Sequence, residues 1–165
     1  MQVIIGLGSN LGDPLARLQA AAAALGHIPH VQVLSKSHIY QTPAWGEHAA
    51  GQAYAYLNAA VLIDTELSLD AVLGMCFGLE ASLGRTREAI TNVYTARLLD
   101  ADILFAGDVI SDTKTLTVPH PRLHKRAFAL RPAADVWQHP QLLAWLAGTE
   151  VRSDAAQMVR TSEPL

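Results

Sequence analysis

The chain has little of several things that would point to particular chemistries. Of its 165 residues one is cysteine, Cys76, which excludes an internal disulfide framework and a cysteine-built zinc site. Charged residues make up only 16% of the sequence, and 12 cations against 15 anions leave a formal charge of −3. That balance cannot build the broad basic face that displaces counterions from nucleic acid. No stretch reaches the ~18 to 20 unbroken apolar residues of a membrane span. Met1-Gln2-Val3-Ile4-Ile5 lacks the basic n-region and long apolar run of a signal peptide. The expected setting is therefore the cytoplasm, with neither nucleic acid nor membrane as partner. There is also no Gly-x-x-x-x-Gly-Lys-Ser/Thr loop, which excludes a P-loop nucleotide site as far as a motif can.

Half of the sequence is hydrophobic, and the length suits one domain over residues 1–165 with a real core, its tail after about residue 148 frayed. Cys76 fits that core as a small hydrophobe. Val3 to Gly8 reads as a buried strand, and Ser9 to Pro14 as a turn with Asp13 as N-cap and Pro14 at the first helical position. Leu15, Leu18, Ala22 and Leu25 recur at helical spacing until Gly26. The alternation from Val31 predicts a strand running on to Tyr40, and Tyr54 to Thr65 a central one. Ser68 caps a helix whose apolar face runs from Leu69 to Leu83, with Glu80 near its end. Leu98 to Phe105 reads as a strand, Gly107-Asp108 as a hairpin turn and Val109-Ile110 as its return. Helices are expected over Lys125–Ala134 and Pro140–Leu146. Thr42 to Ala53 and Arg85 to Ala96 read as long loops, a length that is uncommon and often functional. Strands and helices are interspersed too irregularly for a βαβ winding, so the class is α+β with a mainly antiparallel sheet.

The sharpest chemical feature is Asp100-Ala101-Asp102. On a strand these carboxylates share one face roughly 7 Å apart, while Leu99, Ala101 and Ile103 face the core. Paired carboxylates on one face suit Mg²⁺, which takes a few carboxylates and completes its shell with phosphate oxygens. The plainer alternative is a solvated strand face. Seven of the twelve cations lie between Arg85 and Arg126, and Arg85, Arg87 and Arg97 flank the loop that feeds the strand. His120 and Arg126 follow. Arginine forks match phosphate oxygens, so this grouping fits a polyphosphate whose chemistry is positioning and electrostatics. A second group is Thr42-Pro43-Ala44-Trp45, Tyr56-Leu57-Asn58 and the later Phe128. Tyr56 and Asn58 share a strand face; with an aromatic opposite they could sandwich a flat heterocycle while the amide reads its edge. A core tyrosine and a structural asparagine are the alternative.

Taken in order, these pieces resemble the 6-hydroxymethyl-7,8-dihydropterin pyrophosphokinase family of folate biosynthesis. The resemblance runs over roughly residues 3 to 135, through Gly6 to Gly12, Tyr40-Gln41-Thr42-Pro43, Tyr56 to Val61, Glu80, Gly84 to Arg87, Arg97 to Asp102, Leu116 to His120, Arg126 and Phe128. It implies a ferredoxin-like core in a three-layer α-β-α sandwich. The implied reaction moves the β,γ-diphosphate of ATP to a pterin hydroxymethyl group and releases AMP. It implies further that Asp100 and Asp102 hold two Mg²⁺, and that Arg85, Arg87, Arg97, His120 and Arg126 bind phosphates or the ATP sugar. Tyr56 and Phe128 would stack on the pterin, with Thr42, Pro43, Trp45, Asn58 and Asp100 also at the substrate. Glu80, Tyr94 and Ile103 would line the nucleotide site. Where the family reads Trp-Gly-Pro-Arg before its aspartates this chain has Tyr94-Thr95-Ala96-Arg97, and the span from Arg85 to Arg97 is 97 − 85 = 12, about two residues longer than the family often has. A pterin-binding paralogue with little or no kinase activity is the rival reading.

Overall fold

The computed structural model describes residues 1–42, 55–84 and 98–165. The first strand, β1 (Gln2–Ser9), leads through a tight turn into α1 (Pro14–Leu25). Asp13 caps α1 by accepting from the Ala16 amide at 3.0 Å, and Pro14 opens it, as the sequence predicts. β2 (Val31–Lys36) and β3 (Tyr40–Thr42) follow, then β4 (Tyr56–Thr65), α2 (Leu69–Ser82) and β5 (Asp100–Phe105). Ser68 caps α2, and Gly84 lies just beyond its end at φ +96°, a conformation that favours glycine.

β1 pairs antiparallel with β4 on one side and β5 on the other, while β2 and β3 run in succession along the far edge of β4. The core therefore reads β5-β1-β4-β2/β3, all antiparallel, with helices after the first and fourth strands. That is the ferredoxin-like β-α-β-β-α-β arrangement in an α+β chain.

The strand period of two divides the core in half. Val3, Ile5, Leu7, Ala59, Val61, Ile63, Ala101 and Ile103 face α1 and α2, whose Leu18, Ala22, Leu25, Val72, Cys76 and Leu79 complete one buried cluster. Ile4, Ala60, Leu62 and Leu104 face the other way, onto α3 (Ala127–Val136), α4 (Pro140–Leu146) and α5 (Thr149–Ala155). Three layers result. Phe105 joins Leu104 on this second face because the β1–β5 register shifts between Ile4 and Ile5. It packs edge-on against Trp137 and Trp145, at 5.7 and 6.4 Å between ring centroids.

Three expectations change. The strand from Val31 stops at Lys36, because Ser37 takes over the ladder: its amide donates to the Ala60 carbonyl at 2.9 Å and its Oγ accepts from the Ala60 amide at 2.8 Å. Val109-Ile110 is not a returning strand. Gly107 does turn at φ +60°, but the partners further on are β6 (Ser111–Asp112) and β7 (Thr117–Val118), and Ile110 is exposed. The tail does not fray after residue 148 either. α5 packs Val151 into the second core, and β8 (Val159–Arg160) pairs with β3. Among the described residues no helix is long and apolar enough to cross a membrane.

Candidate active site

The second face of the sheet is apolar and covered at one end, polar at the other. Along β5 the sequence Asp100, Asp102, Leu104 walks from the polar end into the core beneath α3, and both aspartates are half-buried. Across from them β1 presents no side chain at all, since Gly8 pairs with Asp100 and Gly6 with Asp102. On the other side of Gly8 lies Asn58, and beyond Asn58 lies Tyr40. One row of the sheet therefore reads Asp100, Gly8, Asn58, Tyr40.

Gly8 is the floor between a carboxylate and an amide. A Cβ there would come within 3.3 Å of Asn58 Oδ1 and 3.9 Å of Asp100 Cβ. Asn58 is nearly buried and donates through Nδ2 to Thr42 Oγ1 at 2.9 Å, which orients its amide. Tyr56, two residues earlier on the same face, is half-buried opposite Thr42. The pairing of β3 with β4 thus sets Thr42, Tyr56 and Asn58 together at the polar end.

Two buried side chains grip the backbone that carries the aspartates. Ser9, fully buried at the end of β1, donates its hydroxyl to the Leu98 carbonyl at 2.6 Å. Glu80 accepts from the Ala101 amide at 3.0 Å, between the two aspartates in sequence, and is only 3% exposed. β5 is an edge strand, so its outward amides need a partner outside the sheet, and Glu80 supplies one.

His120 enters from the segment after β7, its amide donating to the Leu104 carbonyl at 2.9 Å. Burial, then the positive charges of Arg126 and Arg122, push its pKa down to about 4, although the Asp100 carboxylate pulls the other way. The ring is therefore neutral near pH 7. Its Nδ1 accepts from the Arg122 amide at 3.1 Å, so the proton sits on Nε2 and makes that nitrogen a donor. Arg126 caps the start of α3, its guanidinium carbon 5.6 Å from the centre of the Phe128 ring. Carboxylates, a neutral imidazole donor, a guanidinium and an oriented amide thus gather at one end of one sheet face. A family model described as 7,8-dihydro-6-hydroxymethylpterin-pyrophosphokinase (HPPK) matches residues 4–138. The chain belongs to that family.

Relatives agree with the HPPK assignment. A 2-amino-4-hydroxy-6-hydroxymethyldihydropteridine pyrophosphokinase from Methylorubrum extorquens is 39% identical over 155 residues, covering 93% of this chain and 91% of that one. The protein of the same name from Bacillus subtilis is 38% identical over 146 residues, covering 88% and 84%. A crystal structure described as HPPK-DHPS in complex with substrates superposes with a TM-score of 0.58 at 12% identity, a likeness of fold. This chain spans 39% of that longer one and 81% of its own length is covered.

Measured against the sequence expectations, the HPPK chain brings Asp100, Asp102, Asn58 and Tyr56 to one face, with Thr42 bonded to Asn58. His120 lies within the electrostatic reach of Asp100, and Arg126 within that of His120. Glu80 and Ile103 are not on this face. Both sit on the α1–α2 side of the sheet, Ile103 in the core and Glu80 on the strand's amide. Pro43, Trp45, Arg85, Arg87, Tyr94 and Arg97 lie outside the described residues. Sequence reasoning gave no site role to Ser9, read only as the first residue of a turn, or to Gly8, whose value is the space it leaves.

Among the described residues no group of three or more His, Cys, Asp and Glu could hold a metal ion. The donor set on offer is two carboxylates beside a glycine floor. That fits Mg²⁺, which is commonly bound through one or two carboxylates and completes its octahedron with water and substrate phosphates.

Proposed function

We propose that this chain transfers the β,γ-diphosphate of ATP to the hydroxymethyl oxygen of 6-hydroxymethyl-7,8-dihydropterin. The pterin oxygen bonds to the β-phosphorus, the bond from that phosphorus to the α,β-bridging oxygen breaks, AMP leaves with that oxygen, and the hydroxyl proton is lost. One observation carries the reading: Asp100 and Asp102 stand beside an oriented Asn58 on the open end of the sheet, in a chain of the HPPK family.

The residues divide the work by their chemistry. Asn58, held by Thr42, offers an amide of fixed direction to the donor and acceptor edge of a pterin, with Tyr56 and Phe128 as stacking rings; Pro43 and Trp45 join the substrate residues by the family resemblance alone. Asp100 and Asp102 are the residues that would hold Mg²⁺, whose bound charge neutralises the polyphosphate. His120 Nε2–H and the guanidinium of Arg126 supply donors to phosphate oxygens. Arg85, Arg87 and Arg97 belong with them by charge, Tyr94 by its ring. The cytoplasm is the compartment this reading calls for, because ATP and a reduced pterin meet there.

The test is AMP release from ATP and Mg²⁺ with and without the pterin. Pterin-dependent AMP is expected, lowered at least about a hundredfold in Asp100→Ala and in Asp102→Ala, as for loss of charge stabilisation in the transition state. AMP formation that ignores the pterin, or that survives both substitutions, would sink the proposal.

A further inference from the structure

At the end of the row Asp100, Gly8, Asn58, Tyr40 the tyrosine meets α3. Tyr40 is 5% exposed, and its hydroxyl donates to Asp135 Oδ2 at 2.7 Å. The same hydroxyl accepts from Arg131 Nε at 3.3 Å, and the Arg131 guanidinium lies 6.0 Å from the Tyr40 ring centre. Arg131 reaches Asp135 Oδ1 at 3.6 Å, one helical turn along. His38 Nδ1 is 3.1 Å from the carboxylate oxygen that Tyr40 uses. Three side chains, from β3, from the link before it and from α3 itself, thus converge on the Asp135 carboxylate.

Elsewhere α3 meets the sheet through apolar side chains: Ala127, Leu130 and Ala133 share one buried cluster with Ala60 and Leu62, and such contacts carry no direction of their own. Pro132, inside α3, has no amide hydrogen to donate one turn back along the helix. Phe128, Arg131 and Asp135 are spaced i, i+3, i+7, and so lie on one side of the helix. Fixing the azimuth of Arg131 and Asp135 fixes that of Phe128.

We propose that Tyr40 and Asp135 are positioning residues for the pterin: through Arg131 they lock the rotation of α3, and so hold the Phe128 ring in register with Asn58 and Thr42. This rests on the pterin assignment made above. Burial raises the Tyr40 pKa, which keeps its hydroxyl a donor.

The experiment is equilibrium titration of the full chain with 6-hydroxymethyl-7,8-dihydropterin, in the presence of Mg²⁺ and a non-hydrolysable ATP analogue, and separately with the nucleotide alone. Tyr40→Phe and Asp135→Asn are each expected to weaken the pterin about tenfold, the scale of one directional buried bond lost. Nucleotide affinity should stay within about twofold, and the double variant should lose less than the product of the two single losses, because both act on the Tyr40–Asp135 contact. Asp135→Asn, at a partly exposed position, serves if Tyr40→Phe does not fold. A Phe128→Ala control separates the two layers of the argument. If Phe128→Ala loses the pterin while both variants bind it normally, the lock is overturned and the pterin site stands. If all three bind normally, the pterin assignment fails and takes the lock with it. Equal losses for pterin and nucleotide also overturn the lock, since they would mark a general loosening of the fold.

Discussion

Replacing Gly8 with alanine separates stability from function, because its effects on stability offset one another and its effect on binding is not offset. Gly8 lies in a strand with no positive φ, so a side chain is allowed by the backbone. Alanine should gain roughly 0.5–1 kcal/mol there from the smaller conformational entropy lost on folding. Against this, the new Cβ would sit 3.3 Å from Asn58 Oδ1, close enough that the amide must give by a few tenths of an ångström. Such a shift stretches the 2.9 Å bond to Thr42 towards the long end of its range and forfeits about 0.5 kcal/mol. The sum is near zero, and the melting temperature should move by less than about 4 °C. Binding has no such compensation. The methyl group occupies the floor and turns the amide that reads the pterin, so pterin affinity should fall by about 10- to 100-fold. Asp100 Cβ is 3.9 Å away, an ordinary contact, and nucleotide affinity should hold within about twofold. Gly6→Ala is the contrast, since its Cβ would strike Leu104 Cδ1 at 2.7 Å and Cγ at 2.9 Å inside the core. That variant should lose about 1–3 kcal/mol of stability. Thermal unfolding with pterin titration reads both. Unchanged pterin affinity in a folded Gly8→Ala protein would refute the placement of the ligand over this floor.

Two further outcomes follow from perturbed ionisations. The His120 pKa is lowered to about 4 in the fold against 6.5 unfolded, so between those values the unfolded chain binds more protons. The contribution is full above pH 6.5 and is lost as pH falls towards 4; urea unfolding across that window should show a shallower acid slope for His120→Gln. Cys76 is fully buried, and burial, then the charges of Asp102 and Glu80, push its thiol up to about 12. A thiol-specific disulfide reagent at pH 8 should leave the native protein unlabelled and react once in denaturant; prompt labelling of native protein would contradict the core placement.

How much of this was legible in the sequence depends on how local the determinants are. α1 and α4 begin where Pro14 and Pro140 put them, because a cap and an N1 proline act within one turn. The aspartate pair was legible because strand period two needs only neighbouring residues, and Asp100 and Asp102 do share the face opposite Ala101 and Ile103. Val109-Ile110 misled because a glycine turn beside β-branched residues signals a hairpin, whereas β6 finds β7 instead. The nucleotide-site role of Glu80 came from the family resemblance; the bond of its carboxylate to the Ala101 amide depends on the packing of α2 against β5 and has no local mark in the sequence. Tyr40 and Asp135 are 95 residues apart, and nothing local to either marks the pair, although Arg131 and Asp135 at i, i+4 gave half of the signal. Tail residues Val159 and Arg160 form a strand only because β3 leaves an edge for them.

The row that crosses the sheet draws its members from positions 100, 8, 58 and 40, in that spatial order. No two neighbours in it are close in sequence, and each is brought in by a different strand. Closing such separations carries an entropic cost that is recovered only when the sheet is complete, a burden that a helical bundle of local contacts does not carry. A partly assembled chain would hold Asp100 without Asn58, or Asn58 without the glycine floor, and so would have no fraction of the chemistry. Recovery of activity on refolding should therefore track the slowest strand pairing, with no early burst from a helical intermediate. Selection for the reaction is, in this architecture, selection for the whole sheet.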